Sequence, residues 1–68
     1  MEIHQIIKER RSLLGITQQD LADISGIGLR TIKQIETGKG NPAFNTLRKI
    51  ADVLGMDVVL HIKDVNKL

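Results

Sequence analysis

Residues Thr17–Gly38 read TQQDLADISGIGLRTIKQIETG, and this stretch decides the fold. Thr17 is a good N-cap because its hydroxyl can accept a backbone N–H of the first helical turn, and Asp20 stands three residues on, where a capping-box acid reaches back. A helix over about 18–25 follows, with Leu21, Ala22 and Ile24 inward or partly inward. Ser25-Gly26-Ile27-Gly28 breaks it. Gly26 supplies the positive φ that a tight turn between helices needs, and Ile27 sits beside it as an apolar plug. A second short helix over about 29–37 turns Ile32 and Ile35 inward and stops at Gly38.

Outward from this pair, the pattern stays helical on both sides. Ile3, Ile6, Ile7, Leu13 and Leu14 mark an amphipathic helix over about 2–14, its middle covered by the aliphatic parts of Arg10 and Arg11. Gly15 ends it as a left-handed cap. Beyond Gly38, Lys39-Gly40-Asn41-Pro42 is a loop, and Pro42 precedes a helix over about 44–54. Phe44, Leu47, Ile50, Ala51 and Leu54 share one stripe of that helix, and Phe44, the one aromatic residue of the chain, is expected at the centre of the core. Gly55 terminates the helix. Residues 1–56 thus read as an all-α, four-helix domain.

From Asp57 the period changes. Val58, Val59, Leu60, His61 and Ile62 form a β-branched, mostly apolar run, which favours a strand with Val58, Leu60 and Ile62 on one face. A short fifth helix or a disordered tail stays open as an alternative. Nothing else in the chain reads as a strand, so the partner expected for this one is the same strand of a second subunit, antiparallel about a two-fold axis. Residues 57–68 are read as a C-terminal strand and tail that dimerise the protein, with 64–68 frayed.

Size and composition exclude several functions. A chain of 68 residues buries one core and leaves little for a substrate cavity, so no enzyme is expected. There is no cysteine, which excludes a disulfide framework, a thiolate zinc site and thiol catalysis. His4 and His61 lie in different elements, with no cysteine or carboxylate cluster near either, so no metal and no cofactor are expected. No glycine loop attached to a strand cradles a phosphate. The net charge is only +2, but the segment Lys8–Lys39 holds the whole excess, with six basic residues against four acidic ones. Neither a cleavable leader nor an apolar run of membrane-spanning length is visible, and a cytoplasmic location is the default.

Taken in order, Gly15-Ile16-Thr17-Gln18-Gln19-Asp20-Leu21-Ala22, Ser25-Gly26-Ile27, Thr31-Ile32 and Ile35-Glu36-Thr37-Gly38-Lys39-Gly40-Asn41-Pro42 resemble the helix-turn-helix of the Cro and lambda-repressor type, which bacterial regulators of the xenobiotic-response-element family share. Thr46-Leu47-Arg48-Lys49-Ile50-Ala51 and Leu54-Gly55 continue the match, which covers about residues 6–56. The resemblance implies a lambda-repressor-like domain that binds double-stranded DNA, with the third helix in the major groove and the second across the backbone.

By the same resemblance, base reading falls on Gly28, Leu29, Arg30, Lys33 and Gln34. Arg30 suits a guanine edge and Gln34 an adenine, whereas Gly28 and Leu29 depart from the polar residues usual there. Phosphate contacts fall on Arg11, Thr17, Gln18, Thr31, Thr37, Lys39, Gly40 and Asn41, with Gln18 as the clamp at the start of the second helix. Arg11 and Glu36 match a structural salt bridge between the first and third helices. The implied role is a homodimeric transcriptional repressor on a palindromic operator. The run Leu54–Ile62 also looks like antitoxins of the kinase-toxin type of toxin–antitoxin module, which would add a toxin protein as partner. A protein–protein module that kept the fold without DNA binding is the contrasting class.

Overall fold

The computed structural model describes residues 2–63. Four helices follow one another: α1 (Ile3–Leu13), α2 (Gln18–Ser25), α3 (Leu29–Glu36) and α4 (Phe44–Val53). Local chemistry sets their ends. Thr17 caps α2, its Oγ1 accepting the Asp20 N–H at 3.0 Å while Asp20 Oδ2 accepts the Thr17 N–H at 2.9 Å. Gly26 closes α2 at φ 76°, a left-handed conformation that costs a residue with a Cβ about 1 kcal/mol or more. Ser25 Oγ accepts the Ile27 N–H at 3.2 Å and stiffens the turn into α3.

The helices bury one cluster built from Ile7, Leu21, Ala22, Ile32, Ile35, Ile50 and Leu54. Leu21, Ile32, Ile50 and Leu54 are its fully enclosed members, so α2, α3 and the end of α4 form the centre. Packing α2 against both α3 and α4, and α1 against α3, fixes the angle at which α3 is presented. Arg10 ties α1 to the end of α4 by donating Nε–H to the Leu54 carbonyl at 2.8 Å, a carbonyl left without a helical partner.

Several expected core positions lie elsewhere. Phe44 is 53% exposed and does not occupy the centre of the core. It is the first residue of α4, and side chains lean toward a helix N-terminus, so its ring projects past the end of the packed layer. Ile24 is exposed because the inward stripe of α2 is Leu21, Ala22 and half-buried Ser25, leaving Ile24 beyond its edge. Of the five apolar residues in and just after α1, only Ile7 is buried; Ile3, Ile6, Leu13 and Leu14 face outward.

The strand expected over 58–62 is not seen: no residue described in the structure is in a strand, and residues 57–63 form no regular element. The reason is elementary, since a strand is defined by a ladder and the described residues offer no second strand to form one. The frayed end expected at 64–68 lies outside the described residues.

Candidate nucleic-acid interface

The exposed side of α3 is the feature most suited to reading a nucleic acid. Ile32 and Ile35 are buried, so the helix has a fixed inner face, and Arg30, Lys33 and Gln34 project on the opposite one. Eight residues at 1.5 Å each make a rod about 12 Å long, which matches a major groove about 12 Å wide. Gly28 is the N-cap of α3, and a Cβ built there meets nothing within 4 Å, so the approach to the helix start is open. Leu29 is partly buried and packs against the core cluster. Its side chain therefore anchors the first turn of α3 and leaves little surface for a base.

Behind α3 lies a fully satisfied polar junction. Glu36 is a buried acid, 5% exposed, at the last turn of α3. Its carboxylate accepts Arg11 Nε–H at 2.7 Å and Arg11 Nη2–H at 2.9 Å, a two-pronged pair, and Gln18 Nε2–H at 3.2 Å. Arg11 Nη1 also donates to the Ile16 carbonyl at 2.9 Å. The two-pronged bond raises the Arg11 guanidinium above its already high value, against a smaller opposing effect of burial. A carboxylate placed in a core without such partners would cost several kcal/mol, and here Arg11 of α1 and Gln18 of α2 supply the donors that prevent it.

This junction assigns two of the expected phosphate contacts a structural partner. Arg11 is turned inward toward Glu36, its side chain only 14% exposed. Gln18 uses one amide hydrogen on Glu36 and keeps a second, and it stands at the start of α2, where the N–H groups of Gln18 and Gln19 precede the first intrahelical bond. The remaining amide hydrogen and these backbone N–H groups thus belong to the same helix end, whose dipole suits an anion. Asp20 is fully exposed on the same end. Bonds from the Thr17 backbone and then its hydroxyl hold the Asp20 carboxyl below the usual carboxylate range.

The far end of α3 gathers a second group. Thr31, Gln34, Lys39, Gly40 and Asn41 line a shallow notch of about 160 Å³ beside Ile35 and Pro42. Thr37 stands apart from it, its hydroxyl bonded back to the Lys33 and Gln34 carbonyls at 3.0 Å. The Lys39 N–H is held by the Gln34 carbonyl at 2.9 Å, so Lys39 has its side chain to offer and not its backbone. On the other flank the His4 ring abuts Gly38, where φ is 78° and an added Cβ would come within 3.3 Å of Nδ1. The His4 ring thus takes the space that a side chain at position 38 would need, and no local sequence pattern signals it.

A family model described as helix-turn-helix matches residues 7–60, which takes in all of this geometry. The chain belongs to the helix-turn-helix family. It is of the Cro and lambda-repressor-like kind, a transcriptional regulator domain. It is 37% identical over 60 residues to an HTH-type transcriptional regulator of Methanothermobacter thermautotrophicus, covering 88% of this chain and 83% of that one. It is 36% identical over 58 residues to the cryptic phage CTXphi transcriptional repressor RstR of Vibrio cholerae, covering 85% of this chain but 52% of the repressor. A third relative, an HTH-type transcriptional regulator of Methanocaldococcus jannaschii, is 38% identical over 52 residues, 76% of this chain and 79% of its own length.

Regulators of this family are non-catalytic DNA-binding proteins, and this helix-turn-helix regulator is not an enzyme. Among the described residues no three His, Asp or Glu side chains are grouped to hold a metal ion, and no helix is long and apolar enough to cross a membrane. The resemblance signalled Arg11, Gln18 and Glu36, and it paired Arg11 with Glu36. What it missed is that Gln18 also bonds Glu36, because a contact across 18 residues leaves no local trace.

Proposed function

We propose that this regulator binds double-stranded DNA in a sequence-specific way and represses transcription as a homodimer on a palindromic operator. The observation that carries the reading is the exposed triplet Arg30, Lys33 and Gln34 on a helix whose other face is locked into the core. Arg30 donates to a guanine edge, Gln34 to adenine, and Lys33 reaches a base or a phosphate. Gln18 and the start of α2 clamp one phosphate, and the Thr31, Lys39 and Asn41 notch holds another on the far side of α3. Two copies related by a two-fold axis would set the half-sites one helical turn, roughly 34 Å, apart. Occupancy alone then blocks a promoter, with no chemistry.

Selection of bound fragments from the source genome tests this directly, because it returns operator, symmetry and spacing together. Arg30→Ala is expected to cost about 1–3 kcal/mol on the selected site and much less on random DNA. Equal losses on both would remove Arg30 from base reading. Gln18→Ala is expected to weaken all sequences alike and, because the amide carries no charge, to leave the salt dependence nearly unchanged. Absence of binding even at low salt would sink the nucleic-acid reading and favour a protein–protein module.

A second reading, an antitoxin that autoregulates its operon and binds a kinase-like toxin, rests on the exposed apolar tail, with Val59, Leu60 and Ile62 all open to solvent. It differs in one expectation: the protein would purify with the product of the neighbouring gene.

A further inference from the structure

Glu36 accepts one bond more than its charge requires. Arg11 already meets both carboxylate oxygens, with Nε–H on Oε2 at 2.7 Å and Nη2–H on Oε1 at 2.9 Å. The third bond, from Gln18 Nε2–H to Oε1, is the longest at 3.2 Å and comes from a neutral donor, so it adds least to holding the buried charge. Its larger effect falls on Gln18. A glutamine side chain has much rotamer freedom to lose, and this bond removes it in the folded protein. A carboxylate only accepts, so the Gln18 amide meets it with NH2 and not with its oxygen. The bond therefore holds the side chain and fixes which way the amide is turned. One Nε2 hydrogen stays open, at the end of α2 where the Gln18 and Gln19 N–H groups also lack an acceptor within the helix.

We infer that Glu36 is a positioning residue for DNA binding, which holds the Gln18 amide as a phosphate donor before DNA arrives; this deepens, and rests on, the phosphate-clamp reading above. Ordering a long side chain is a cost that binding ordinarily carries, worth about threefold to tenfold in affinity. Here folding carries it instead. The bond also crosses between helices, since Gln18 opens α2 and Glu36 ends α3. The clamp is thus set against the reading helix itself, and the phosphate contact shares one frame with Arg30 and Lys33. Glu36 touches no DNA in this role. It acts through Gln18, while its pair with Arg11 remains the structural part of the junction.

A double-mutant cycle on a short duplex of random sequence at low salt tests this, because a phosphate contact acts on every sequence alike. In the parent, Gln18→Ala is expected to weaken binding about threefold to tenfold. With Glu36→Gln in place, the same change is expected to cost less than about twofold. An amide at position 36 offers one acceptor oxygen, Arg11 claims it, and the Gln18 amide is released. The Arg11 charge that Glu36→Gln leaves unpaired is present on both sides of that comparison and cancels. Equal costs in the two backgrounds would overturn the positioning role and leave DNA binding standing. No loss from Gln18→Ala in the parent would overturn the clamp and the positioning together. A parent that binds no DNA at low salt would overturn the DNA reading itself. Nitrogen-15 relaxation of the Gln18 side chain, without DNA, gives a second readout on the unmutated protein. Its amide is expected to be as rigid as the α2 backbone on the ps–ns timescale, whereas that of the exposed Gln34 is mobile. A Gln18 amide as mobile as that of Gln34 would overturn the inference even if Glu36→Gln failed to fold.

Discussion

The junction of Arg11, Gln18 and Glu36 and the groove of Ile3, Ile6 and Val58 are opposite kinds of surface in one small domain. The first holds a buried charge whose oxygens all find donors within the chain. The second is apolar and open, with an unpaired tail beside it. A buried carboxylate tolerates no vacancy, so the chain must complete that region before it can be folded. Apolar surface costs far less to leave in water, about 25 cal/mol per Å², so the groove can wait for a second molecule. Stability is thus expected to depend on the junction and assembly on the groove.

The sharpest way to break this contrast is Arg11→Ala. Removing one partner of a buried pair leaves Glu36 uncompensated and is expected to cost about 3–5 kcal/mol, measured by urea unfolding. A domain of this size has little more to lose, so much of the population would unfold. A loss under about 1 kcal/mol would mean that water or Gln18 replaces the guanidinium readily.

Thr17→Ala tests the edge of the same region. It removes the acceptor for the Asp20 N–H and is expected to cost about 1 kcal/mol in the same measurement. An unchanged midpoint would show that water serves the α2 end equally well.

Ile62→Ser probes the other surface. Its side chain is 86% exposed, so unfolding free energy at low concentration is expected to change by less than about 0.5 kcal/mol. Dimerisation, followed by sedimentation, is expected to fall several-fold. A large loss of monomer stability would erase the contrast between the two regions.

The smallest effect concerns pH. The Asp20 carboxyl is held below its ordinary value by Thr17, so its stabilising contribution is complete above the unfolded carboxylate pKa, about 3.9, and is lost as pH falls through the folded value. Asp20→Asn is expected to lose less stability than the parent on acidification from pH 7 to below about pH 4. Parallel melting curves across that range would count against the capping carboxylate.

Much of the helix-turn-helix was legible because its signals are local. The Thr17–Asp20 box acts over three residues, and the Gly26 turn depends on one φ angle. The core was legible only in outline. Phe44 fits the stripe of α4, yet its place at the first turn sends it outward, and Ile24 is apolar without belonging to the buried face of α2. Leu29 shows the reverse: it lies where the resemblance expects base reading, but it packs on the core.

By itself the sequence determined the order of the helices, the caps and turns that separate them, and the membership in a DNA-binding family, since each follows from chemistry within a few residues or from motifs linked in order. Tertiary structure alone decided that Gln18 joins the Arg11–Glu36 pair, that Arg10 closes the end of α4, and that His4 rests on Gly38. Those contacts span from 18 to 44 residues along the chain. They form because packing brings distant groups together, and burial then compels each polar atom to find a partner there.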